Sequence, residues 1–111
     1  GETNFIDASS TDSGLETPLG ALQCEIKGNS NITSCSIRPE SISVQNSPAS
    51  MNGFSGSCVE TTYLGEVAQH QVRVTENVVL RVTEVNPSHV GKIGDIMHLH
   101  VDSKDIVPLE K

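Results

Sequence analysis

The 111 residues leave room for one small domain, or for two half-size lobes sharing a core, which excludes a multi-domain enzyme. Apolar residues make up 35% of the chain and charged residues 19%, and the only aromatics are Phe5, Phe54 and Tyr63, so a core of short half-buried strands is affordable but stacking platforms for bases or sugar rings are scarce. Seven basic against fourteen acidic residues give a formal charge of −7, a surface that repels a phosphate backbone, and nucleic acid is not an expected partner.

Along the chain the apolar pattern has period two, with Gly, Asn, Pro and Ser punctuating it, and this predicts an all-β fold. Phe5-Ile6 opens as a short strand. Asp7 to Thr17, rich in Ser, Thr, Asp and Gly, reads as an exposed hairpin loop, and so does Gly28 to Ser34. Between and after them, Ala21 to Cys24, Ser36-Ile37 and Ser41 to Val44 are short strands, and Pro48 to Asn52 is a connector. Gly56 to Tyr63 is rich in β-branched residues and meets the next strand at Leu64-Gly65-Glu66, where Gly65 is free to take a positive φ. In the next strand Ala68, His70, Val72 and Val74 form one face, and Val78, Leu80 and Val82 form a face of the strand after it. The break Thr75-Glu76-Asn77 predicts a tight turn with Asn77 left-handed, so that the three strands make an antiparallel meander. Asn86 to Ile93 is a loop, Gly94-Asp95 a turn, and Met97, Leu99 and Val101 share a strand face. Asp102 to Asp105 can cap a single helical turn before Ile106 to Leu109 extends at an edge marked by Pro108. Many short strands closed against free edges point to small barrels of the oligonucleotide/oligosaccharide-binding (OB) kind, in two lobes: residues 1–46 and residues 47–111.

Cys24, Cys35 and Cys58 are odd in number and lack C-x-x-C spacing, so reduced thiols are expected and no structural disulfide. There is neither a basic segment leading into an apolar run nor eighteen consecutive apolar residues, so membrane insertion is not expected and a cytoplasmic setting is. The sequon Asn31-Ile32-Thr33 is read as chance. His98 and His100 project from one strand face without an identifiable third ligand, and are read as solvent-facing rather than as a metal site. His70 is read as a satisfied core or interface histidine, His89 as a loop residue, and Cys58 as packing. Gly53-Phe54-Ser55-Gly56 lacks the strand-then-helix setting of a nucleophile elbow, and no Gly-x-x-x-x-Gly-Lys-(Ser/Thr) loop is present to wrap phosphates, so the chain carries no catalytic residues of its own.

Four segments, in consistent order, resemble one family. Ser36-Ile37-Arg38-Pro39-Glu40-Ser41-Ile42 is similar to the Gly-(Ile/Val)-Arg-Pro-Glu-x-(Ile/Leu) motif of ABC-importer ATPase subunits, with Ser36 in place of the usual Gly. Asn4-Phe5-Ile6 resembles the Asn-Phe-(Ile/Leu) that follows the ATPase domain, and Gly56 with Tyr63-Leu64-Gly65 resembles a strand-and-turn motif. Gly94-Asp95-Ile96-Met97-His98-Leu99 resembles Gly-(Asp/Glu)-x-Val-x-Leu, followed by Val101-Asp102 and a closing Ile106 to Leu109. Together they look like the TOBE-type C-terminal accessory domain of such subunits.

The resemblance implies a regulatory and dimerising domain, attached to an upstream ATPase domain that this chain lacks, in a complex that energises import of a polyamine, iron, an anion or a sugar. It implies permease subunits as partners, a place at the inner face of the cell membrane, and ATP with magnesium as cofactors of the parent only. It singles out Arg38, Glu40, Gly56 and Gly65 as ligand-contacting or regulatory positions. The residues themselves also allow a structural part, with Pro39 holding Arg38 extended and Arg38 pairing with a carboxylate across the lobes. Two further classes stay open. One is a free-standing binder of small oxyanions, like molybdate, through backbone amides; the other is an oligosaccharide- or oligonucleotide-binding module, which the charge and the scarcity of aromatics disfavour.

Overall fold

The computed structural model describes residues 2–27, 31–87 and 91–110. The described chain is all-β, an OB-like arrangement of three antiparallel sheets with two single-turn 3₁₀ segments, Pro39–Ser41 and Ser103–Asp105. One sheet joins β1 (Asn4–Asp7), β5 (Ile32–Ile37) and β11 (Val107–Glu110) in the order β1-β5-β11. A second, smallest sheet holds β2 (Ser9–Ser10), β3 (Leu15–Thr17) and β4 (Gly20–Leu22). The largest sheet runs β6-β10-β7-β8-β9, from β6 (Ile42–Gln45), β7 (Gly53–Leu64), β8 (Val67–Thr75), β9 (Val78–Val85) and β10 (Ile96–Val101). The last strand returns to pair with β5, so the sheets do not divide the chain at a single point.

The meander β7-β8-β9 forms as the alternation requires: Ala68, Val72, Leu80 and Val82 are buried on one face, while Gln69, Gln71, Arg81 and Thr83 stand on the other. Leu64 and Val67 flank a two-residue turn whose first residue, Gly65, has φ +67°, the sign that a primed hairpin turn demands. The β8–β9 turn is built otherwise than predicted, because Asn77 does not take a positive φ. Among the described non-glycine residues only Asn52 (52°) and Asn86 (51°) do so. A register shift between Arg73 and Thr75 relieves the turn instead, and Arg73 Nη1 donates to the Glu76 carbonyl at 2.9 Å.

In the first half, the supposed exposed loop Asp7 to Thr17 contains β2, β3 and part of β1. Leu15 is 1% exposed and Thr17 is buried, because Leu15, Leu19 and Leu22 supply one side of the core. Likewise Ile32 to Ser34 belong to β5, while Gly28 to Ser30 lie outside the described residues, as does His89. The strand at Ser41 begins one residue later, since Ser41 closes the 3₁₀ turn, and the strand at Ala21 stops at Leu22. Asp102 caps the second 3₁₀ turn as expected, its Oδ1 accepting from the Lys104 N–H at 3.1 Å, and Pro108 sits on an edge strand. A single buried cluster, from Ile6 through Leu22, Cys35, Ile37, Val72 and Leu99 to Ile106, draws on all three sheets.

Two buried asparagines join the sheets where no strand pairing does. Asn4 donates from Nδ2 to the Arg81 carbonyl and accepts at Oδ1 from the Arg81 N–H, both at 2.8 Å, so its amide stands in for a neighbouring strand at the edge of β9. Asn52 does the same to Gln23, with 2.7 Å and 2.9 Å bonds, and ties the end of β4 to the start of β7. A carboxamide offers one donor and one acceptor side by side, the pattern a peptide edge presents.

Candidate functional site

The outer face of the meander carries two rows of aligned polar side chains: Glu60, Gln71 and Arg81 in one, Thr62, Gln69 and Thr83 in the next. The Pro39–Ser41 turn packs against β9, and the N-terminal segment comes alongside through the Asn4 clamp. Between them lies a groove of about 370 Å³, within the size range of small-molecule sites. Glu2, Glu40 and Pro39 line its walls, and the two polar rows line its floor.

Its polar groups are partly fixed. Gln71 Nε2 donates to Glu60 Oε2 at 3.0 Å, and Arg81 Nη1 pairs with Glu2 Oε2 at 2.7 Å. Pro39 locks φ at the first position of the 3₁₀ turn, with Arg38 extended before it (φ −72°, ψ 144°), as the motif predicts. Three carboxylates thus face one guanidinium, and that guanidinium already has a partner.

His70, which also lines the groove, is 4% exposed, with Nδ1 at 2.8 Å from Thr61 Oγ1 and Nε2 at 3.0 Å from Glu84 Oε1. It is the satisfied core histidine that the pattern indicates. Cys58, also buried, places Sγ 3.2 Å from Thr61 Oγ1 at the bulge where β7 shifts register. The thiol is separated from the imidazole by the threonine hydroxyl, so the two do not form a nucleophile–base pair.

Of the four residues singled out from the sequence, only Glu40 lines the groove. Arg38 is exposed and takes no part in either ion pair among the described residues, so the expected pairing across the lobes is not formed. Gly56 is buried where β7 passes β8: a Cβ there would meet the Arg73 carbonyl oxygen at 2.5 Å and Val72 Cγ1 at 2.7 Å. Gly65 lies in the hairpin turn with nothing within 4 Å of a Cβ. Both glycines answer backbone demands. His98 and His100 are half-buried on β10, His98 Nδ1 lying 2.9 Å from Ser55 Oγ. No group of three His, Cys, Asp or Glu among the described residues is arranged to hold a metal ion. Glu60, Gln69, Gln71, Arg81 and Thr83 were legible as the polar half of alternating strands, but nothing in the sequence marked them as facing Glu40.

A family model described as a TOBE domain matches residues 35–109, from within β5 to within β11, which is more than half the chain. The chain belongs to the TOBE domain family. No curated protein matches it. TOBE domains occur in ATP-binding subunits of ABC transporters and in molybdate-binding proteins, as regulatory or binding modules rather than catalytic ones. The match takes in the Arg38-Pro39-Glu40 turn, the meander and the closing strand, so the groove is built largely from the family's own framework. Among the described residues no helix is long and apolar enough to cross a membrane.

Proposed function

We propose that this TOBE domain is the regulatory and dimer-forming accessory domain of an ABC-importer ATP-binding subunit. The observation that carries the reading is the family match over residues 35–109, in which the Arg38-Pro39-Glu40 turn links the β1-β5-β11 sheet to the largest sheet and rests on β9. On this reading an upstream domain of the same polypeptide binds ATP and magnesium, and permease subunits hold the assembly at the cytoplasmic face of the membrane. Arg38, exposed beside the turn, is available to such a partner, whereas Gly56 and Gly65 serve the framework. The alternative, a free-standing oxyanion module, gains no support from the groove, where the one guanidinium is engaged by Glu2 and the other charges are negative.

An immunoblot of the source cells with antibody raised against this chain tests the reading. The native band is expected to exceed the 111-residue chain by at least about 200 residues, the least that holds an ATPase domain. A band of the chain's own size would refute it, and a calorimetric titration with molybdate, expected to be silent, would then decide for or against the oxyanion module.

A further inference from the structure

Asn52-Gly53 is the one Asn-Gly pair in the sequence, and the fold leaves little choice of residue at either position. Asn52 has φ +52°, in the left-handed region that asparagine enters more readily than most residues with a side chain. It is buried, and its carboxamide makes the paired bonds to Gln23, so a glycine here would match the φ but not the clamp. At position 53 a Cβ would meet the Ala49 carbonyl oxygen at 2.5 Å and the Ala49 Cβ at 2.9 Å, so glycine is required. The same pair is the most reactive toward intramolecular deamidation, because a glycine nitrogen, with no Cβ beside it, reaches the preceding side chain unhindered. In the folded chain that approach is blocked. Asn52 Nδ2 donates to the Gln23 carbonyl at 2.9 Å, Oδ1 accepts from the Gln23 N–H at 2.7 Å, and the Asn52 carbonyl accepts from the Val101 N–H at 3.2 Å. These bonds hold in place both the carboxamide and the peptide group that would have to meet.

We propose that Asn52-Gly53 is a latent self-modification site, silent while the Gln23 clamp is closed, whose deamidation on local opening makes that opening permanent. In the step, the Gly53 nitrogen gives up its proton and bonds to Asn52 Cγ; the Cγ–Nδ2 bond breaks, and Nδ2 leaves with that proton as ammonia, forming a succinimide. Water then opens the ring at either carbonyl. The product is aspartate or, with the backbone rerouted through the side-chain carboxyl, isoaspartate, and no oxidant or cofactor takes part. Neither product remakes the clamp. Aspartate sets a carboxylate oxygen where Nδ2 was, against the Gln23 carbonyl at a buried position, and isoaspartate adds a methylene to the backbone at the start of β7. The end of β4 is then released from the start of β7, where the smallest sheet is tied to the largest. The inference uses only residues of this chain and is independent of the function proposed above.

The test follows deamidation of Asn52 at mildly alkaline pH by peptide-mapping mass spectrometry. The samples are the folded 111-residue chain, the same chain unfolded in urea, and a free peptide of residues 50–54. The unfolded chain and the peptide should react at comparable rates, and the folded chain at least about thirtyfold slower, since its rate follows the fraction of molecules with the clamp open. Hydrogen exchange of the Gln23 amide, whose proton lies in the clamp, reports that fraction independently. The two protections should fall together as urea is raised below the unfolding transition. Asn52→Asp, which installs the aspartate product directly, should unfold at a lower urea concentration than the parent or not fold at all. The inference is overturned if the folded chain deamidates as fast as the peptide, or if the unfolded chain stays unmodified at Asn52. It is equally overturned if deamidation and Gln23 exchange respond differently to urea, or if Asn52→Asp is as stable as the parent.

Discussion

Replacing His70 by alanine tests how far a buried polar network holds the meander together. The ring is 4% exposed and hydrogen-bonded at both nitrogens, to Thr61 Oγ1 at 2.8 Å and to Glu84 Oε1 at 3.0 Å. Its removal opens a cavity against β9, and for a ring this polar the low end of the range for core truncations applies, about 2 kcal/mol. The lost hydrogen bonds add only about 1 kcal/mol, for two reasons. Thr61 keeps its contact with Cys58 Sγ at 3.2 Å, and the Glu84 side chain, 22% exposed, can be rehydrated. The expected total is about 3 kcal/mol, or a drop in Tm of roughly 10–20 °C for a domain of this size. Urea and thermal unfolding of His70→Ala, beside His100→Ala as a half-buried control expected to cost under about 1 kcal/mol, measures it. A loss below about 1 kcal/mol at His70, or one no greater than at His100, would refute the argument that this network is integral to the fold.

The two glycines of the strand-and-turn motif should respond differently to alanine. Gly56→Ala, forcing a Cβ to within 2.5 Å of a backbone oxygen, is expected to cost about 2–3 kcal/mol, whereas Gly65→Ala, strained only by φ +67°, costs about 1 kcal/mol and Gly65→Asn less; chemical denaturation ranks them. Asn4→Ala removes both 2.8 Å bonds to Arg81, so stability should fall by about 2 kcal/mol and the Arg81 amide should exchange with deuterium much faster than its neighbours on β9. The Cys35 thiol is pushed up from 9.0 to about 11, chiefly by burial and secondarily by Cys24. Because the folded chain keeps this proton where the unfolded chain has lost it, the contribution is fully present below pH 9. It is lost as pH rises towards 11, by about 2–3 kcal/mol. Urea midpoints of the parent should fall across that window more steeply than those of Cys35→Ala.

Much of the second half was legible because each strand there is long enough for alternation to show. Val72, Leu80, Leu99 and Val101 are buried where period two places them, and the Asp102 cap and the Pro108 edge follow from local chemistry that no distant contact overrides. The first half is less legible because its strands are two to six residues long and rich in Ser and Thr, so that Leu15 reads as an isolated apolar residue in a loop. Asn77 misled for the opposite reason: a residue able to adopt αL does so only when the turn needs it, and the register shift after Arg73 removed the need.

Spacing and order along the chain are enough to give the all-β class, the meander and the family. That Glu40 faces Glu60 and Arg81, and that Asn4 and Asn52 serve as surrogate strand edges, emerges once the chain is folded. Those partners lie 20 or more residues apart, Asn4 and Arg81 by 77, and they meet because the core must close around Leu15, Ile37 and Leu80. Local pattern says which side of a strand is buried; only the closing of the core says what the other side confronts.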